Sequence, residues 1–363
     1  MRKRDLAKLV GDLKADWRGF AALLRGGIRI SALMTLAAAM AAMAIPSSAS
    51  SQEFYQGKTL TIIVGLPPGG GFDANARLLA RYLGRYIPGT PTVIVVNAPG
   101  ASSATSVARL DVNLPTDGTV IDAFNFGLIG SSLLQPDKIG IDFRRYAWIG
   151  SISEDTTTCF VWRVDAPKTI AAMKAGGHYF FGDAGVGSSE DINIKILRRV
   201  FGVDITQAFG YSGSAEVRIA IERGEVDGEC GSWSSIPEDW TKSPKFHPVL
   251  RTAMSVPDGM APDVPYVIDM APDETAHKII RFLEADGDLG RPYIASRAVP
   301  ADRIAILRAA FAAAVTDRDF IAEAKTLRLP VSPRTGAEAV NIVDQLYATP
   351  PDIIAAARKI VAE

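Results

Sequence analysis

The chain has 363 residues, 48% of them hydrophobic and 22% charged, with a formal net charge of −1. That is apolar sequence enough for two lobes with separate cores, and it sets aside disordered and fibrous classes. Its 32 glycines and 22 prolines follow no short period, so they read as loop punctuation and not as a repeat or low-complexity protein.

The first fifty residues differ from the rest. Arg2, Lys3, Arg4, Lys8, Lys14, Arg18, Arg25 and Arg29 precede an apolar run from Ile30 to Ile45, followed by Pro46, Ser47, Ser48 and Ala49. A basic start, an apolar core shorter than the ~20 residues of a spanning helix, and small residues after it make a secretory signal peptide over 1–49; an uncleaved anchor is the alternative. Removing it takes away eight basic and three acidic residues, leaving 31 basic against 37 acidic, a net charge of −6. Such a surface disfavours nucleic acid as a partner, and an anionic ligand must be drawn by local dipoles or a few placed cations.

Past the leader, Thr59 to Val64 predicts a buried strand. Ala74 to Tyr86 predicts a helix with Leu78, Leu79, Tyr82 and Leu83 on one side; Thr92 to Val96 a strand, Ser103 to Leu110 a short helix, and Thr119 to Phe126 a strand. A second series gives strands at Cys159 to Trp162, Tyr179 to Phe181 and Val226 to Cys230, and helices at Thr169 to Ala175, Ile192 to Phe201 and Ala215 to Arg223. Between Pro237 and Pro272 prolines are frequent and periodicity weak, so that stretch reads as surface loop. Helical patterns return at Arg303 to Val315, Arg318 to Leu327 and Ala337 to Leu346, with Asp302 and Asp317 near helix starts. This alternation predicts an α/β fold of two lobes, each a mostly parallel sheet flanked by helices, with 53–155 and 286–363 in one lobe and 156–285 in the other.

The chemistry sits in strand-to-helix loops. Pro67-Pro68-Gly69-Gly70-Gly71-Phe72-Asp73 brings three glycines to a helix start, where amide groups lack partners and can cradle a carboxylate or phosphate. Asp73 reads first as the N-cap and second as an acceptor for a ligand amine or hydroxyl. Gly182-Asp183-Ala184-Gly185-Val186-Gly187-Ser188-Ser189 repeats the device in the second lobe, and two such loops facing each other define a cleft. Gly100, Ala101 and Ser102, and Tyr211 with Ser212, lie in two further connections of this kind; Tyr211 either lines the pocket or packs beneath it. Cys159 and Cys230 fall in predicted strands of one lobe, either as one disulfide or as two buried thiols.

Other chemistries lack their residues. Gly57-Lys58-Thr59 mimics the end of a phosphate loop, but Gln52 stands where its first glycine belongs. Gly210-Tyr211-Ser212-Gly213-Ser214 ends in serine where a nucleophile elbow needs glycine. The histidines are His178, His247 and His277, without metal-ligand spacing, so neither a metal nor any other cofactor is expected.

Taken in order, Leu60 to Val64, the loop Pro67 to Asp73 with Arg77, Val96 to Ala101, Thr116 to Thr119, Gly182 to Ser188, Tyr211 to Ser214, Gly224 to Asp227 and Ala261 to Val264 with Pro265 resemble the tripartite tricarboxylate transporter receptors, or Bug receptors. The resemblance spans most of the chain past the leader. It implies a periplasmic two-lobe binding-protein fold of type II kind, a monomer that closes on a small carboxylate and hands it to the membrane subunits of the transporter, without catalysis. It also implies that one end of the ligand is held by Pro68, Gly69, Gly70, Gly71, Phe72 and Asp73 with Gly100, Ala101 and Ser102. The other end falls to Asp183, Ala184, Gly187, Ser188 and Ser189 with Tyr211 and Ser212. Phe72 replaces a small polar residue of the family, and Ser102 and Ser103 replace glycines, which points to a less polar or aromatic acid. Readings from other classes are a sensory receptor docking on a signalling protein and a hydrolase using Ser212 or Ser188.

Overall fold

The computed structural model describes residues 54–362, apart from Ala184, Val186, Gly187 and Ser212. The leader lies outside that range. Runs of β-branched residues, whose stiff side chains suit a pleated surface, form most of the longer strands. The strands are β1 (Thr59–Val64), β2 (Thr92–Asn97), β3 (Val120–Ala123), β4 (Ala147–Ser151), β5 (Thr157–Trp162), β6 (Tyr179–Gly182), β7 (Ile205–Ala208), β8 (Gly228–Ser232), β9 (Phe246–Arg251), β10 (Pro292–Ala295) and β11 (Arg334–Thr335). Helices of six residues or more are α1 (Gly71–Leu83), α2 (Ala104–Arg109), α3 (Gly127–Leu134), α4 (Ile170–Gly176), α5 (Ser189–Arg199), α6 (Ser214–Glu222), α7 (Glu274–Glu284), α8 (Ala301–Val315), α9 (Arg318–Thr326), α10 (Gly336–Tyr347) and α11 (Pro351–Val361).

The strands make two sheets, one in the order β11-β4-β10-β3-β1-β2 and one in the order β7-β6-β8-β5-β9. Both are mixed where the sequence suggested mostly parallel sheets. β1 pairs in parallel with β2 and β3, and β6 with β7 and β8, whereas β10 runs antiparallel to β3 and β4, and β5 to β8 and β9. The reversal arises because the chain crosses between the sheets twice, outward after β4 and back before β10, so these two strands lie side by side in opposite directions. The crossing segments also bond each other: Ile152 N–H donates to Arg291 C=O (3.1 Å), Arg291 N–H to Ser153 C=O (3.2 Å), and Asp155 N–H to Gly287 C=O (2.9 Å).

The stretch from Pro237 to Pro272 is not all loop. It holds β9, the edge strand of the second sheet, paired to β5 with a register shift opposite Pro248. A proline is tolerated there because an edge strand has one side without ladder bonds. Cys159 and Cys230 are directly paired across β5 and β8 and form a disulfide, which resolves the two readings left open by their spacing.

α1 buries Leu78, Leu79, Tyr82 and Leu83 against the first sheet, as its periodicity predicts, but begins at Gly71. The C-terminal α11 packs on α7 and α5 beside the second sheet and also touches α3 beside the first. There Lys195 Nζ donates to Val361 C=O (2.9 Å), and Arg358 Nη2 to Leu133 C=O (3.0 Å). No helix among the described residues is long and apolar enough to cross a membrane.

Candidate functional site

The first glycine loop is held by a clamp. Asp73 is not the N-cap of α1; Gly70 is, with no side chain capping the helix. The Asp73 carboxylate accepts instead from Gly69 N–H (2.9 Å), Arg77 Nε (2.9 Å) and Asn97 Nδ2 (3.0 Å). Asn97 Nδ2 also donates to Leu66 C=O (3.0 Å), so one residue of β2 ties down the loop after β1. Burial alone would raise the Asp73 pKa, but the bonds from Arg77, Gly69 and Asn97 outweigh it and hold the group below the usual carboxylate range. With both oxygens committed, Asp73 shapes the loop and leaves the first amides of α1 without an intrahelical acceptor. These amides stand at the positive end of the helix dipole.

The second connection packs directly on the first. A Cβ at Gly65 would stand 2.6 Å from Ser103 Cβ, a distance only glycine permits. Ala101, Ser102 and Ser103 adopt φ of +45°, +51° and +80°, left-handed conformations that cost an L-residue about 1–2 kcal/mol each. Ser103 holds this turn: its hydroxyl donates to Gly65 C=O (3.2 Å) and accepts from Asn125 N–H (3.1 Å), joining the loops after β1, β2 and β3. Ala101 and Ser102 remain exposed beside Gly100.

In the second half, Ala184, Gly187 and Ser212 lie outside the described residues. Asp183 is 1% exposed and accepts from Gly185 N–H (3.0 Å), Ser188 Oγ (3.3 Å) and Gln207 Nε2 (2.6 Å), so it buttresses its loop as Asp73 does the other. Ser188 caps α5 by accepting from Asp191 N–H (3.1 Å), a role that leaves no free nucleophile. Tyr211 is half-buried and packs against the apolar cluster that contains Val217 and Ile221.

Contacts connect the two loops through one gap. The Phe72 ring lies 6.4 Å from that of Phe126. Phe126 in turn lines a small cavity with Asp155, Ser189, Asn193, Glu284 and Asp286. Phe72, at the glycine end of α1, thus packs toward Phe126, which shares this cavity with Ser189 at the start of α5. Sequence reasoning missed Phe126, Asp155 and Asn193 of this lining, because they come from a short loop, a crossing and a helix interior. No local motif marks them.

Carboxyl groups crowd this gap. Burial, with Asp286 adding, pushes Glu284 up to about 8. Burial likewise pushes Asp286 to about 7, against the bond from Gly130 N–H, and Glu229 to about 7, against Arg218. Glu190 is raised by burial and then by the charges of Asp183 and Asp155. Farther off, Asp122 in β3 has neither carboxyl oxygen within hydrogen-bond geometry of a partner; burial takes it to about 8, and the nearby Ser106 hydroxyl offsets only part of that. Asp122, Glu229, Glu284 and Asp286 are mostly neutral in the folded protein at pH 6 but ionise near pH 4 in the unfolded chain. Their contribution is therefore fully present below about pH 4 and is lost as pH rises through the folded values of 7 to 8. The melting temperature should fall between pH 5 and pH 8.5, because every tenfold difference in proton affinity between folded and unfolded chain is worth about 1.4 kcal/mol. A melting temperature that is level or climbs over that range, followed by circular dichroism, would contradict these environments.

Among the described residues no group of His, Cys, Asp and Glu is placed to hold a metal ion. Two mixed sheets flanked by helices and joined by paired crossings make a fold known from solved solute-binding proteins. The solved structures that share it are of that class. The periplasmic binding protein BugD superposes with a TM-score of 0.64 at 19% identity, over 85% of this chain and 99% of that one. MatC from Rhodopseudomonas palustris, solved with bound malate, gives 0.61 at 20% identity, over 84% and 99%. A UPF0065 protein from the TAR-I ttuE-ttuC' intergenic region of Agrobacterium vitis is 26% identical over 263 residues, 70% of this chain and 74% of its own length. No family model matches the chain. The fold is thus the one that BugD and MatC share, in agreement with the resemblance drawn from the sequence motifs.

Proposed function

We propose that this protein captures a small organic acid in the periplasm for a tripartite tricarboxylate-type transporter, as a monomer freed of residues 1–49. One lobe comprises 53–155 with 286–363, the other 156–285, and the two close about the paired crossings at 152–156 and 285–291. A few paired segments that absorb the backbone change are how such domains hinge. The observation that carries the reading is the start of α1, uncapped by any side chain and shaped by Asp73 and Asn97, with Phe72 packed toward Phe126 on the cavity that Ser189 borders. Pro68, Gly69, Gly70, Gly71 and Phe72, with Gly100, Ala101 and Ser102, form the first binding surface. The second consists of Ala184, Gly187, Ser188, Ser189, Tyr211 and Ser212, with Asp183 supporting it. The malate in MatC supports a carboxylate as the guest.

The test is a thermal-shift screen on protein recovered from the periplasmic fraction, with malate, adipate, hexanoate and phenylacetate. At a hundredfold excess over its dissociation constant a true ligand stabilises the fold by about 2.7 kcal/mol. Protein absent from that fraction, or unmoved by every acid in the panel, would end this reading.

A further inference from the structure

Arg291 ends the return crossing just ahead of β10, and only 5% of it is exposed. Its guanidinium lies 4.6 Å over the Phe72 ring and against the start of α1, where a Cβ at Gly71 would stand 3.3 Å from Nη2. The internal partners are few and poor. Nη1 donates to the adjacent Gly290 C=O (2.6 Å), Nη2 reaches Asp155 Oδ1 only at 3.4 Å, and Nε has no hydrogen-bond partner. A buried donor left unpaired costs about 1–3 kcal/mol, so this arrangement is incomplete without an acceptor. The positive end of α1 and a permanently charged guanidinium thus meet at one place.

The carboxyl groups around Asp155 offer no second anchor of this kind. Asp155 already accepts from Ser232 (2.5 Å), Glu229 is paired with Arg218 at 3.2 Å, and Glu190 stands near Asp183 and Asp155. A second carboxylate on a guest would find Asp155 already bonded and Arg218, the nearby cation, already paired with Glu229.

We propose that Arg291 and the first amides of α1 together anchor a single carboxylate, and that the ligand is therefore a monocarboxylic acid whose apolar or aromatic body lies along Phe72 and Phe126. This rests on the solute-binding reading above and narrows it. Phe72 covers the guanidinium from water, which strengthens its hold on an anion. Asp155 competes with the guest for Nη2 and keeps the empty site from carrying a naked buried charge.

The experiment is calorimetric titration of the intact protein with phenylacetate and hexanoate against malate and adipate. Wild type should bind at least one monoacid about tenfold more tightly than either diacid. Arg291→Gln should weaken the monoacid ~10- to 100-fold, in line with hydrogen bonds to charged groups, and Arg291→Lys should recover part of the loss. Asp155→Asn, which frees the guanidinium, should tighten monoacid binding several-fold. A purely structural ion pair predicts no tightening, and that variant stays informative even if Arg291→Gln fails to fold. Preference for the diacids, undiminished binding by Arg291→Gln, or no tightening in Asp155→Asn overturns the assignment while leaving solute capture intact. Wild type that binds none of the four acids overturns both.

Discussion

Removing the Cys159–Cys230 bond should destabilise the protein by about 4 kcal/mol. The bond closes a loop of 71 residues, and constraining a chain of that length lowers the entropy of the unfolded state by roughly this amount at 25 °C. It joins β5 to β8, neighbours inside the second sheet, so the loop it closes carries α4, β6, α5, β7 and α6. Both sulfurs are fully buried, and a reductant should therefore act only as fast as the strands open. Urea unfolding of the Cys159→Ala/Cys230→Ala protein should show a lower midpoint and a steeper slope, since the unlinked chain unfolds to a more expanded state, and dithiothreitol should bring wild type toward the same curve. Coincident midpoints for the two proteins would show that the β5–β8 ladder needs no covalent support. A bond of this kind forms where thiols are oxidised, which agrees with export.

Gly70→Trp should abolish ligand binding while leaving the unliganded fold as stable as before. Gly70 is exposed, has φ of −85°, and a Cβ there would meet no atom within 4 Å. A side chain is thus accepted without strain. The residue is also the N-cap of α1, so an indole at this position would stand over the amides assigned to the anion. Gly69 makes a poorer probe, because its φ of +87° would add backbone strain to any steric effect. Equal melting temperatures for wild type and variant without ligand, and a thermal shift with ligand in wild type alone, are the expected pair of results. A shift of full size in Gly70→Trp would move the binding site off this loop.

How much was legible in the sequence depended on distance along the chain. β1, β2 and α1 follow from runs of β-branched residues and from apolar positions at helical spacing, and they fall within a few residues of expectation. The Asp73 cap failed by a small margin: the helix starts at Gly71, so Asp73 falls in its first turn, and its carboxylate finds Asn97 of another strand. β10 has four residues and β11 two, too few for any periodicity to show. β9 was hidden by Pro248, acceptable only because that strand lies at an edge. α7 carried a readable signal, with Ile279, Ile280, Phe282 and Leu283 on its buried side, behind a proline-rich stretch that looked like loop.

By itself the sequence determined the alternation of strands and helices, the glycine-rich helix starts, the acidic character of the chain past its leader and the signal-like pattern of that leader, because each depends on composition or on residues close together in the chain. Only the tertiary structure decided that the sheets are mixed, that the cysteines are bonded, that Asp73 and Asp183 brace loops, and that Arg291 lies between Phe72 and Asp155. Those outcomes depend on segments that meet only after the chain has crossed between the sheets twice; Arg291 and Asp155 are 136 residues apart. A charge takes its partners and its burial from whatever surrounds it in space, and local propensity says nothing about that.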